Sequence, residues 1–149
     1  MEYLVIVLVI AVALAPLSHF VPSKAQRKIA RLREYAAING LYVEFRDLPG
    51  VEAKTRVESS GRNIYYGRRV RARAMEGGRR RVWVCRDNRW SAVPRGPSVP
   101  EVLAELPVGI LAVSADLDSC GIYWQETGDE AEIDRILQVL DALADKIYQ

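Results

Sequence analysis

The chain begins with an almost unbroken run of apolar residues. Positions 4–21 comprise 18 residues, and Ser18 and His19 are the only polar ones. A helix over this run is about 27 Å long, close to the ~30 Å hydrocarbon thickness of a bilayer. A buried core helix is disfavoured because every side of the run is apolar. A cleaved signal peptide is disfavoured because no basic residue precedes the run and Pro16 follows its A-x-A segment. The pattern predicts a transmembrane anchor over 1–22.

The charges that flank the run predict its orientation. Glu2 precedes it, and basic residues follow it closely. The nearest of these are Lys24, Arg27, Lys28 and Arg31. Basic residues beside a span tend to stay on the cytoplasmic side. We therefore expect a single-pass, N-out protein of a bacterial inner membrane with a cytosolic domain over 23–149. The same four residues are candidates for contact with anionic lipid headgroups; the alternative is that they only set the topology.

Beyond Pro22 the apolar positions become periodic. Ser23 and Gln26 form a capping-box pair that opens a helix ending at Asn39-Gly40. Apolar and polar residues then alternate over 41–48, which predicts a strand. A second capping box at Thr127 opens a closing helix with one apolar stripe. The stripe comprises Ile133, Ile136, Leu137, Leu140, Leu143, Ala144 and Ile147.

The middle of the chain predicts a three-strand meander. Its strands cover 64–75, 80–86 and 90–93, with two-residue turns at Gly77-Gly78 and Asp87-Asn88. The two turns together assign one apolar face. This face comprises Val70, Ala72, Ala74, Trp83, Cys85, Trp90 and Ala92. The opposite face is rich in arginine, over valine side chains. Its arginines, which are candidates for docking, are Arg69, Arg71, Arg73, Arg80 and Arg86.

Two further patterns complete the expected fold. A short helix is predicted over 100–106, and a second hairpin has strands at 110–115 and 120–126. The succession of elements favours an α+β class. We expect an N-terminal transmembrane helix followed by a small two-layer domain. In that domain an antiparallel sheet of about six strands is covered by two helices.

The net charge of +2 conceals a strong polarity along the chain. Residues 22–95 include 19 Lys or Arg and 7 Asp or Glu, whereas residues 96–149 include 2 basic and 11 acidic residues. Three interpretations fit: the acidic half neutralises the basic half in cis, the arginines dock an acidic protein, or they bind nucleic acid or anionic lipid. Nucleic acid is disfavoured because both meander tryptophans fall opposite the arginines, which leaves only Tyr65 to interleave with them.

Residues that support catalysis or metal binding are scarce. His19 is the only histidine, Cys85 and Cys120 form no C-x-x-C pair, and no phosphate-binding glycine motif occurs. Asp116 and Asp118, helped by Glu126, form a possible cation site, but aspartate is also favoured in turns. We therefore expect no enzyme activity, no metal or cofactor, and no small-molecule substrate.

These patterns together predict an interaction function. We expect a membrane-anchored accessory or assembly protein that docks on a larger membrane complex through the arginine-rich face. The alternative is a membrane-tethered module that binds an anionic ligand, either lipid headgroups or nucleic acid.

Overall fold

The computed structural model describes residues 2–14, 22–49, 63–70, 80–93 and 98–148. The chain divides into two compact units, Met1–Arg31 and Leu32–Gln149. The first unit contains helix α1, Glu2–Leu14, and the start of helix α2, Lys24–Ile38. The second unit contains the rest of α2, the sheet and the C-terminal helix.

The predicted membrane span is contradicted by the length of α1. This helix has 13 residues and is about 20 Å long at 1.5 Å per residue, short of the ~30 Å of a bilayer core. In the described part of the chain, no helix has the length and apolar character that crossing a membrane requires. Positions 15–21 of the predicted span lie outside the described residues. The prediction of a single-pass, N-out, inner-membrane protein is therefore wrong.

Helix α2 begins and ends as its sequence predicts. The Ser23 hydroxyl accepts a hydrogen bond from the Gln26 backbone N–H, and the Gln26 side chain accepts one from the Ser23 N–H, at 3.2 and 2.8 Å. This reciprocal pair satisfies two N–H groups that the first turn leaves open. At the other end Gly40 has φ +85°, a conformation that favours glycine after a helix.

A six-stranded antiparallel sheet forms the centre of the α+β second unit. The strands are β1 Leu41–Phe45, β2 Ile64–Arg69, β3 Arg81–Arg86, β4 Arg89–Ala92, β5 Ile110–Ala115 and β6 Ser119–Trp124. They lie in the order β1-β2-β6-β5-β3-β4. A 3₁₀ helix, Glu101–Glu105, precedes β5, and helix α3, Glu130–Ile147, follows β6. The N-cap of α3 is Asp129, whose carboxylate accepts from the Glu132 N–H, and not Thr127 as the sequence predicted.

The three-strand meander is wrong in one of its two hairpins. Strands β3 and β4 pair around Asp87-Asn88, and Cys85 lies opposite Trp90 as predicted. Strand β2, however, pairs with β1 and β6, and the other edge of β3 pairs with β5. Val70 donates its backbone N–H to Asp118 instead of lying opposite Cys85. The predicted turn at Gly77-Gly78 lies outside the described residues, as do Ala72 and Ala74. The β5–β6 hairpin therefore separates β2 from β3.

One face of the sheet is covered by helices and carries the main core. Leu32 and Ala36 of α2, Leu103 of the 3₁₀ helix and most of the apolar stripe of α3 are buried there, and the stripe residues Leu137 and Ala144 are partly buried. Beneath them lie strand side chains such as Trp83 and Trp124. Successive side chains of a strand point to opposite faces of the sheet. The residues of β3 and β4 that were predicted to lie on the apolar side therefore point to this face.

A buried carboxylate fixes α2 to this face. The Glu126 side chain is 3% exposed and accepts hydrogen bonds from Nε and Nη2 of Arg33 at 2.7 and 2.8 Å. The Tyr66 hydroxyl donates to the same carboxylate at 2.6 Å. Glu126 has φ +55°, an unusual backbone conformation for glutamate. The three contacts compensate the cost of burying its charge.

This arrangement predicts that Arg33→Gln lowers the free energy of unfolding by about 2 kcal/mol, because Glu126 then retains a buried charge without its cationic partner. Chemical denaturation followed by circular dichroism measures the effect. Arg31→Gln is the matched control, since Arg31 is exposed on the same helix. Equal losses in both variants would assign the effect to the helix and not to the ion pair.

Candidate interaction surface

The sheet face opposite the helices has a small aromatic centre. Gly67 and Gly121 lie opposite each other on β2 and β6. A Cβ at either glycine would lie 2.4–2.5 Å from the nearest atoms, which include the rings of Tyr42 and Tyr65. Tyr65 and Tyr123 are buried, with ring centroids 5.1 Å apart. The paired glycines therefore form a trough in the sheet that tyrosine rings fill.

Two arginines from distant segments converge above this centre. The Arg46 guanidinium lies 4.1 Å from the Tyr65 ring centroid, a favourable cation–π geometry. Arg80 lies 3.0 Å from the carboxylate of Asp116, which is also 3.8 Å from Arg46. Asp116 therefore neutralises both arginines in part. Burial raises the pKa of the Tyr65 phenol above its ordinary value.

The predicted arginine face is divided between two ends of the sheet. Arg69 lies opposite Ser119 in β6. It is at the same end of the sheet as Arg80, which directly precedes β3. Arg86 lies at the other end of β3 and shares a face with Val82 and Val84. Arg71 and Arg73 lie outside the described residues. Val82 and Val84 lie between Arg80 and Arg86 along β3, so the described arginines do not form one continuous basic surface.

Arg89, which was not among the predicted docking residues, lies beside Arg86. Arg89 begins β4 directly opposite Arg86, and we call these two residues the arginine pair. Asp87 and Asn88 have φ of +48° and +61°, the positive values that a type I′ turn requires and that fix this register. Both arginines are exposed, and among the described residues neither forms an ion pair. The signal was present, because any two-residue turn at Asp87-Asn88 places its flanking residues opposite each other.

The acidic half of the chain neutralises part of the basic half. Of the five ion pairs within the described residues, four join an arginine from 22–95 to a carboxylate from 96–149. The arginines in these four pairs are Arg33, Arg46, Arg68 and Arg80. Arg68 contacts Asp141. The acidic half of the chain therefore neutralises these four arginines in cis. It forms no ion pair with the arginine pair among the described residues.

The possible cation site is not assembled. Asp116 contacts arginines, Asp118 accepts a hydrogen bond from Ser119, and Glu126 is held by Arg33 on the other side of the sheet. Within the described residues no group of three or more His, Cys, Asp or Glu side chains is placed to hold a metal ion.

The residues predicted to meet lipid headgroups lie on the first part of α2, in the other unit. All four are exposed, and they are Lys24, Arg27, Lys28 and Arg31. The Nε of Arg27 donates to the carbonyl oxygen of Pro22 at 3.0 Å. Nothing in the fold tests contact with headgroups, which stays a prediction.

A cleft lies on the helix-covered side of the β3–β4 hairpin. Its volume is about 310 Å³. The hairpin contributes Cys85, Asn88 and Trp90 to its wall, and the 3₁₀ helix and the loop after it contribute the rest. These other lining residues are Leu103, Ala104, Leu106, Pro107, Val108, Gly109 and Ile110. Most of these residues are apolar in type, but polar atoms form the larger part of the accessible lining.

The two free cysteines should differ in reactivity. Burial raises the pKa of both thiols, that of Cys120 to about 12. Cys120 is fully buried, whereas Cys85 is partly exposed in the cleft. We expect iodoacetamide at pH 8 to alkylate Cys85 alone in the folded protein, at a rate that still rises above pH 8.5 because the thiolate is the nucleophile. Mass spectrometry of Cys85→Ser and Cys120→Ser variants checks the assignment; label on Cys120 would contradict it.

Comparison with known proteins leaves the surface without a precedent. The chain matches no family model, no curated protein and no solved structure.

Proposed function

We propose that the chain is a non-enzymatic interaction module that binds an acidic partner protein through the arginine pair. The observation that supports this most is the direct opposition of Arg86 and Arg89 across the hairpin. Like charges placed opposite each other destabilise a sheet. An external carboxylate compensates this repulsion, and the guanidinium groups can contact it in bidentate geometry.

The contrast with the arginines at the other end of the sheet supports the β3–β4 turn as the proposed contact. Arg46 and Arg80 share Asp116 in cis, so less of their charge remains for a partner. The arginine pair has no carboxylate within ion-pairing distance among the described residues, although Asp87 lies between its members in the turn. The β3–β4 turn is therefore the part of the sheet face that best attracts an acidic group.

An acidic protein is favoured over nucleic acid by the burial of the aromatic rings. Single-strand binding relies on exposed rings on which bases stack. On this face Tyr65 and Tyr123 are 0% and 1% exposed, and Arg46 already covers the Tyr65 ring. The rings therefore serve the packing of the sheet, and the charges are left to select the partner.

Poly-L-glutamate is a defined acidic probe for this proposal. We expect the Arg86→Ala, Arg89→Ala double variant to bind immobilised poly-L-glutamate about tenfold more weakly than the wild type at about 150 mM salt, because it loses charge-assisted hydrogen bonds. Biolayer interferometry measures the affinity. The matched control is Arg135→Ala with Lys146→Ala, which removes the same charge from exposed positions on α3.

Two results would overturn the proposal. An equal loss in the control variant would show that only net charge matters. Tighter binding of a single-stranded oligonucleotide than of poly-L-glutamate, lost in the Arg86/Arg89 variant, would replace the acidic protein by nucleic acid.

A further inference from the structure

Strand β4 forms one edge of the six-stranded sheet, and β3 is its neighbour. Just beyond β4, the Val93 N–H donates to the carbonyl oxygen of Val82 at 2.9 Å. Hydrogen-bonded and non-hydrogen-bonded residue pairs alternate along an antiparallel ladder. The backbone groups of Arg89, four residues before Val93, therefore also face β3. Those of Trp90 and Ala92 point outward from the sheet edge.

The outward groups of β4 are free to bind a segment of another chain. Among the residues that the structure describes, no backbone group hydrogen-bonds to this edge. An unpaired edge is a template on which an extended segment adds a further strand through backbone hydrogen bonds. Trp90 and Ala92 each present one N–H and one C=O group to such a segment.

The charge on the edge selects an acidic segment. Arg89 is exposed and lies directly opposite Arg86. A strand added beside β4 places one residue next to Arg89 in a non-hydrogen-bonded pair, in which side chains approach most closely. Opposite charges in such a pair stabilise a sheet, and like charges destabilise it. An acidic residue there reduces the repulsion within the arginine pair, whereas a second copy of β4 supplies no carboxylate.

The opposite edge of the sheet has the wrong charge for the same partner. Strand β1 forms that edge and contains Glu44 but no basic residue. Arg46, which follows β1, already contacts Glu44 at 2.8 Å and lies over the Tyr65 ring. An acidic strand on β1 would bring its carboxylates close to Glu44. Charge therefore distinguishes the two edges and favours β4.

We infer that the acidic partner binds as an extended strand, antiparallel to β4, with its carboxylates on the face of the arginine pair. This inference rests on the proposed function and adds the conformation of the partner. Because successive side chains of a strand point to opposite faces, the partner segment has acidic residues at every second position. The side chains between them lie on the helix-covered side, beside Trp90.

Backbone N-methylation separates strand addition from charge attraction. Three fluorescein-labelled peptides alternate glutamate and threonine: one is unmodified, one is N-methylated on its threonines, and one carries the same number of methyl groups on its glutamates. In the antiparallel arrangement the threonine N–H groups donate to β4 and the glutamate N–H groups point away. We expect the wild-type protein to bind the threonine-methylated peptide about tenfold more weakly than the glutamate-methylated one in fluorescence anisotropy, because backbone hydrogen bonds are lost.

Proline variants at the two sheet edges locate the contact. Ala92→Pro removes an outward N–H of β4 and no bond of the β3–β4 ladder, and proline is tolerated at such edge positions. Phe45→Pro is the matched control on β1, where the bond from the Arg46 N–H to Asn63 leaves the Phe45 N–H pointing outward. We expect Ala92→Pro to weaken the unmodified peptide about tenfold and Phe45→Pro to leave its affinity unchanged. Circular dichroism checks that both variants are folded.

The possible failures are distinguishable, and the peptide comparison does not depend on the folding of any variant. Equal binding of the two methylated peptides, lost in the Arg86→Ala, Arg89→Ala double variant, would overturn strand addition and leave the proposed function intact. Equal weakening by Ala92→Pro and Phe45→Pro would overturn it too. A wild-type dimer that Ala92→Pro converts to a monomer in light scattering would assign the edge to a second copy instead. No binding of the unmodified peptide would overturn the proposed function and this inference together.

Discussion

The pairing of β2 with β6 is the contact on which the rest of the fold depends. It joins the basic half of the chain to the acidic half and inserts the C-terminal hairpin between strands that precede it in sequence. With these strands paired, Asp141 lies beside Arg68 and Glu126 beside Arg33. Asp116 meets Arg80 through the separate pairing of β5 with β3. The same pairing brings Gly67 opposite Gly121 and opens the trough that the tyrosine rings fill. The sheet order and the ion pairs between the two halves thus depend on the two pairings that enclose the β5–β6 hairpin.

Local chemistry allowed the sequence to predict most elements but not their order. The Ser23 capping box, the turn at Asp87-Asn88 and the β5–β6 hairpin rely on neighbouring residues, and the structure contains each of them. The β2–β3 hairpin was wrong because its turn at Gly77-Gly78 offered a local partner, whereas β6 lies far along the chain. Non-local pairing depends on complementarity over the whole sheet, which no short pattern encodes.

In the candidate site too, local contacts could be predicted from the sequence and non-local contacts could not. Alternation in β3 predicts the side of the hairpin on which Arg86 lies, and a two-residue turn at Asp87-Asn88 implies that Arg89 lies opposite it. No short-range signal places Arg46 over Tyr65, because they meet only through the pairing of β1 with β2. The N-terminal run shows that an apolar sequence can also predict too much. Its apolar residues predicted a membrane span, but helix α1 is 13 residues long.

The sheet order constrains how the chain folds as it leaves the ribosome. Strands β1 to β4 are synthesised before β5 and β6, yet β2 and β3 are not neighbours in the finished sheet. Early docking of β2 on β3 would have to be undone before the β5–β6 hairpin could enter between them. Tyr148 then closes the arrangement, because its hydroxyl donates to the carbonyl oxygens of Asp116 and Ser119 beside the turn of that hairpin. Strands with exposed edges are prone to association, so in the interval before β5 and β6 emerge the edges of β2 and β3 are open to pairing with other chains.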